Sequence, residues 1–206
     1  MRQLDIENKL RDVVSRIILQ VELATAQGRT DINLALEDAF IPILMSVYNL
    51  PKLVNLNRKQ KNFPGIDLGD DHDRVCFQVT STTSLDKVKA TLRQFMDRSY
   101  FNSFDALYVL TLVKKQASYS QAAVNEIVGD RFAFNTKKHV IDLGDLLGLV
   151  AGLRLPAQER VLEEFQRILG EVDAYIAYSA DSIPDPTAIT TNLLRVQMPQ
   201  AVYVAE

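Results

Sequence analysis

The chain has a single cysteine, Cys76, which excludes an internal disulfide and fits a reducing compartment. It has no apolar run near the ~20 residues that a membrane-spanning helix needs. The opening segment "MRQLDIENKLRD" is charged throughout and lacks the apolar stretch of a signal peptide, so the expected location is the cytoplasm, with no membrane partner. Basic charge is not in excess: 23 Lys and Arg stand against 26 Asp and Glu, for a formal net charge of -3. That balance excludes a uniformly basic coat for nucleic acid but leaves room for a local basic groove. No internal repeat is present. What the chain does have is an ordinary globular composition, 47% hydrophobic and 24% charged over 206 residues. Such a length buries a sizeable core as one compact domain with appendages.

Hydrophobic periodicity predicts a helix over residues 4 to 25 and a second over "INLALEDAFIPILMSVYNL", with Thr30 or Asp31 as its cap. Pro42 lies inside that second pattern and predicts a kink or a break, because it removes a backbone donor and crowds the preceding turn. "KLVNLN" has short strand character, and "RKQKNFPG" reads as a basic loop. Strands are expected over 65 to 69 and 74 to 80, joined by the turn "DDHD" into a hairpin. Ser84 is placed to cap an amphipathic helix over "LDKVKATLRQFMD". "FDALYVLTLV" has the continuous apolar run of a strand covered on both faces. A short helix follows, then the strand "HVIDL" beginning at His139, then helices near 144 to 152 and over 157 to 178. The apolar stripes of the first and last helices are wider than the sheet needs, so they are expected to pack on each other or on a second copy, outside the core.

Chemistry concentrates in "GIDLGDDHDRVCFQVTSTTSLDKVKATLRQF", residues 65 to 95. Strand alternation points Val75, Phe77 and Val79 one way and Cys76, Gln78 and Thr80 the other. Ile66 and Leu68 are expected to face a core, with Asp67 turned away from it. A hairpin then brings Asp67 to the face of Gln78 and Thr80. Oxygen ligands from two adjacent strands suit a hard divalent cation such as Mg²⁺ or Mn²⁺, completed by a backbone carbonyl.

Asp67, ten residues, then Gln78-Val79-Thr80 resembles the P-D-(D/E)-x-K nuclease pattern, in the form with glutamine at the second acidic position seen in Mrr-like restriction enzymes. The order of elements around it, from a helix carrying Glu37 to the helix after Gln78, is similar to that superfamily's core. The wording "NFPGIDLGD … FQVTST" also resembles the SMEK domain, a bacterial family found at the front of larger proteins linked to phage defence. The resemblance implies an α/β fold, a restriction-endonuclease-like mixed sheet flanked by helices, with additional N- and C-terminal helices. It divides the chain into an N-terminal helix (1–30), a nuclease-like core (31–152), a C-terminal helix (153–180) and an extended tail or linker (181–206). The implied activity is metal-dependent cleavage of nucleic acid, DNA in preference to RNA. In it Asp67, Gln78 and Glu37 hold the metal with help from the Val79 carbonyl, and Thr80 with Lys87 shapes the attacking water. The family's lysine falls on Thr80, whose hydroxyl carries no charge. Lys87, a turn into the next helix, is long enough to take that role.

The same residues have structural readings. Asp67 can cap a turn or pair with Arg74, and Gln78 can be a hydrogen-bonded amide in a second core layer. Glu37 can be solvated, and the hydroxyl run from Thr80 to Ser84 can simply cap its helix or receive a phosphate. His72 reads as an exposed turn residue, and Cys76 has no histidine near it in sequence to activate it. Arg58-Lys59-Lys61, Lys114-Lys115 and Lys137-Lys138 are loop charges able to flank a phosphate backbone. Two function classes therefore stand open. One is a metal-dependent nuclease. The other is a nuclease-like module without catalysis that binds nucleic acid, self-associates as a homo-oligomer, or serves a downstream domain or partner protein.

Overall fold

The computed structural model describes residues 2–29, 32–58 and 65–181. The expected caps Thr30 and Asp31, the lysines at 59 and 61, and the tail from 182 onward lie outside the described residues. Five strands form one sheet in chain order: β1 (Val54–Asn55), β2 (Leu68–Asp70), β3 (Val75–Thr80), β4 (Ala106–Thr111) and β5 (Val140–Asp142). The pairs β1/β2 and β2/β3 are antiparallel, and β3/β4 and β4/β5 are parallel, so the sheet is mixed. Around it lie α1 (Arg2–Ala26), α2 (Ile32–Ala39), α3 (Ile41–Tyr48), α4 (Leu85–Asp97), α5 (Gln121–Val128), α6 (Thr136–His139), α7 (Leu143–Ala151) and α8 (Leu155–Asp181). The fold is α/β, a mixed sheet flanked by helices with long helices at both ends. Among the described residues no helix is long and apolar enough to cross a membrane.

Alternation sorts the two layers. Cys76, Leu107 and Val109 face α4 and α5, meeting Val88, Leu92, Phe95 and Val124. Phe77, Val79, Leu110 and Ile141 face the other way, into a larger cluster. That cluster contains the buried faces of α1 and α8, which pack along each other. The terminal helices therefore build the main core instead of standing outside it. The sheet's covering helices α3 and α7 are short and need a second layer behind them. Each fully buried aliphatic there, such as Ile17 or Ile168, contributes about 1.5–3 kcal/mol.

Local signals place the elements that carry the site. The helical pattern breaks at Phe40: α2 stops at Ala39, and Pro42 occupies the first turn of α3, where its missing N–H costs nothing. Phe40 is buried at this corner, edge-on to Phe165 with centroids 6.2 Å apart, which fixes the direction of α2 and hence of Glu37. Ser84 caps α4 by accepting from Lys87 N at 3.2 Å. The hairpin turn is held by buried Asp70, which accepts from the backbone N–H groups of Lys52, His72 and Asp73 at 2.9–3.0 Å. Burial opposes its charge, but these amides still hold the Asp70 carboxyl below its usual range. Asp70, His72 and Asp73 stand close together for this structural reason.

Two strand expectations need correction. The first strand of the hairpin begins at Leu68, not Gly65, and Ile66 does not share a core with Leu68. Leu68 faces the large cluster, whereas Ile66 sits with Phe95 in the α4 layer, because the chain leaves strand geometry at Asp67. His139 ends the short α6 instead of opening β5. Gly65 makes the entry to Asp67. Its φ is +85°, and a Cβ there would stand 2.7 Å from Gln94 Cβ. Gly65→Ala should therefore destabilise the domain by about 1–3 kcal/mol, from left-handed strain plus the clash, as read by urea denaturation.

Candidate active site at the start of strand 2

Extending the β2/β3 register by one step sets Asp67 opposite Gln78. Asp67 is the residue at which the β2 ladder ends, so the Val79 N–H on that side of β3 has no strand partner. The Asp67 carboxylate takes its place: Oδ2 accepts from Val79 N at 2.7 Å and from Gln78 Nε2 at 2.6 Å. Gln78 Nε2 also donates to the Val79 carbonyl at 3.2 Å. The amide and the acid are therefore locked together, with Asp67 7% and Gln78 8% exposed. Arg74 is not Asp67's partner. It adopts a left-handed conformation at the end of the turn and forms a forked pair with Asp105, both contacts at 2.9 Å.

Glu37 approaches from α2 in one layer, and Lys87 from the first turn of α4 in the other. Glu37 is 6% exposed, and its Oε2 accepts from Asn57 Nδ2 at 3.1 Å. Burial raises its pKa to about 7, and repulsion from Asp67 adds to this against the hydrogen bonds of Asn57 and Asn55. Burial also raises Asp67, to about 6, opposed by the Val79 N–H, the Lys87 charge and Asn57. So two carboxylates feel each other's charge, one asparagine amide serves both, and a lysine charge reaches Asp67. Thr80 is buried on the next outward position of β3, with its Oγ1 accepting from Thr82 N at 3.1 Å within its own turn.

Reading the sequence alone missed Asn57, Asn55 and Asp38. Asn55 donates to Asp38 at 2.9 Å and turns its own oxygen to Asn57 N at 2.8 Å, while Arg58 pairs with Asp38. These contacts fasten the segment after β1 to α2 and so fix Glu37 against the sheet. The signal was there: two asparagines two residues apart in the apolar run "LVNLNR".

The sequence pattern of the SMEK domain matches residues 9–151. The chain belongs to the SMEK domain family. No curated protein and no solved structure matches it. The matched SMEK region runs from within α1 to the last residue of α7. It contains all five strands together with Glu37, Asn57, Asp67, Gln78, Thr80 and Lys87, while α8, which backs the core, follows it.

The donor set of this SMEK domain fits a hard divalent cation. It offers carboxylate, amide and carbonyl oxygens, and no soft ligand. Both carboxylates are pushed toward neutrality, which a nearby dication would reverse. The Gln78 amide fits after a half-turn about its terminal bond, which exchanges nitrogen for oxygen on the Asp67 side.

Proposed function

We propose that this SMEK domain binds Mg²⁺ or Mn²⁺ between Asp67, Gln78 and Glu37 and hydrolyses phosphodiester bonds of nucleic acid. The observation that supports it is the meeting of Glu37 with the Asp67–Gln78 pair where β2 begins beside β3, within range of the Lys87 charge. A bound dication would supply Lewis acidity toward a phosphoryl oxygen. The chain's own groups do the rest. Asp67 and Glu37 bring negative charge from two different layers, and Gln78 with the Val79 carbonyl adds neutral oxygen. Glu37, whose ionised form a bound dication would favour, would hold the cation or one of its waters. Lys87 brings the ammonium that Thr80 cannot offer, and Thr80 holds the turn leading into α4. Exposed Lys114, just beyond β4, is available to a phosphate backbone, whereas Lys115 is already bound to Asp145 at 2.6 Å and the Val140 carbonyl at 3.0 Å. The restriction-endonuclease resemblance supports DNA over RNA as substrate, and the SMEK resemblance supports a setting in bacterial antiviral defence.

Lys87→Ala tests the relocated lysine. Cleavage should fall by about 10²–10³ with cation affinity retained, and Lys87→Arg should recover part of the rate. An unchanged rate would leave Thr80 and the cation alone to organise the water.

Two observations favour a second reading, a non-catalytic module that binds nucleic acid or self-associates. Asp67 Oδ2 already has two donors, and threonine stands where the nuclease pattern has lysine. Wild-type protein that binds nucleic acid but never cleaves it with Mg²⁺ or Mn²⁺ would decide for this reading.

A further inference from the structure

A cavity of about 510 Å³ lies on the α3/α7 layer of the sheet, away from Asp67. Its walls are Tyr48 from α3, Tyr108 from β4, Ile141 from β5, and Leu149 with Gly144 and Gly148 from α7; Lys137, Lys138 and Asp145 complete the lining. It is an open depression rather than an enclosed void, of a volume that suits a small organic ligand lying against it. The two tyrosine rings are 5.0 Å apart and tilted by 52°, and both back onto Phe77 at 5.3–5.4 Å. The aromatic wall is therefore anchored in the core and cannot fold away. Both tyrosines are half-buried, and neither phenol is tied to another described residue by a hydrogen bond, so the hydroxyls are open to a ligand.

Two further features point to an occupant. Gly144 and Gly148 stand one turn apart on α7, and a Cβ at Gly148 would meet no atom within 4 Å. Packing does not require glycine there, and in a helix interior glycine costs about 1 kcal/mol against alanine. Gly148 lines the cavity, and the open space at its missing side chain keeps that wall of α7 low. Charge at the rim is one-sided. Asp145 is neutralised by Lys115 at 2.6 Å, whereas Lys137 and Lys138 project as exposed cations.

We propose that this cavity binds a planar aromatic anion of about nucleotide size. The ring lies along the tyrosine wall and α7, its heteroatoms meet the phenols, and its anionic group meets Lys137 and Lys138. This site shares no residue with the cation site and does not depend on the nuclease reading.

Calorimetric titration of the whole chain with each of the four ribonucleoside 5′-monophosphates, and separately with inorganic phosphate, tests it. At least one nucleotide should bind with a dissociation constant below about 1 mM, and phosphate alone should not. Changing both exposed lysines, Lys137→Ala and Lys138→Ala, should weaken binding by about tenfold without touching the fold. Gly148→Leu should fill the space and abolish binding, while Asp67→Ala should leave it unchanged. Failure of all four nucleotides to bind at about 10 mM would overturn the proposal. So would equal affinity in the double-lysine variant, or wild-type affinity in a folded Gly148→Leu protein.

Discussion

Asp67→Ala is expected to abolish both cation binding and any cleavage that depends on it, while the fold stays intact. Among the proposed ligands Glu37 comes from α2, whereas Asp67 is the carboxylate held at the start of β2, locked to Gln78 and Val79. Its loss removes the charge around which the other donors are arranged, leaving Glu37 alone on its helix. The cost in stability follows from two opposed effects. Removing a buried acid whose pKa has risen to about 6 relieves the domain of a disfavoured charge above that pH. Removing the acceptor orphans the Val79 N–H and leaves the Gln78 amide only its bond to the Val79 carbonyl, at about 1–3 kcal/mol for each buried donor left unpaired. At pH 8 the two roughly cancel, and the variant should melt close to wild type. At pH 5, below the folded pKa, the relief is smaller while the loss is unchanged, so the variant should be the weaker protein. Asp67→Asn, which keeps an acceptor for Val79 N–H, should be at least as stable as Asp67→Ala at both pH values and equally inactive. Paired melts at the two pH values, run beside a Mn²⁺-dependent cleavage assay, check all three outcomes.

Cation-free wild type should lose stability as pH rises, and added Mg²⁺ or Mn²⁺ should restore it only at the upper end. Glu37 rises from 4.5 to about 7 and Asp67 from 3.8 to about 6 in the folded protein, chiefly through burial. An acid with a raised folded pKa releases its proton more readily from the unfolded chain. Stability is then fully present below the ordinary carboxylate range, falls between about pH 4 and 7, and levels off above. A dication binds the ionised carboxylates, so its stabilising effect should be large at pH 8 and nearly absent at pH 5. Thermal melts across pH 4.5–8.5, with and without Mn²⁺, would show two curves that converge at acid pH. Parallel curves would place the acids outside any cation site.

Where the pattern was local, the sequence was enough. Pro42 broke its helix, Ser84 capped α4, and alternation in "RVCFQVT" sorted β3 correctly between its two layers. The Asp67–Gln78 meeting follows from that alternation and a hairpin of fixed length. Where the outcome depended on contacts distant in the chain, local pattern failed. Arg74 finds Asp105, 31 residues away, in preference to Asp67. Ile66 falls into the α4 layer because a strand ends at Asp67, and no hydropathy pattern marks where a ladder stops. The wide stripes of α1 and α8 looked like surplus to a small sheet, yet they meet each other across nearly the whole chain. Asn57 joins Glu37 to Asp67 from a third segment, and its position becomes meaningful only once all three are together.

The most direct test of the cation site is a calorimetric titration of Mn²⁺ into metal-free wild type and Asp67→Ala at pH 8. The arrangement of Asp67, Gln78 and Glu37 predicts saturable binding of an ion to wild type and none to the variant, with both proteins folded. Absence of binding to wild type, or equal binding to the variant, would contradict it.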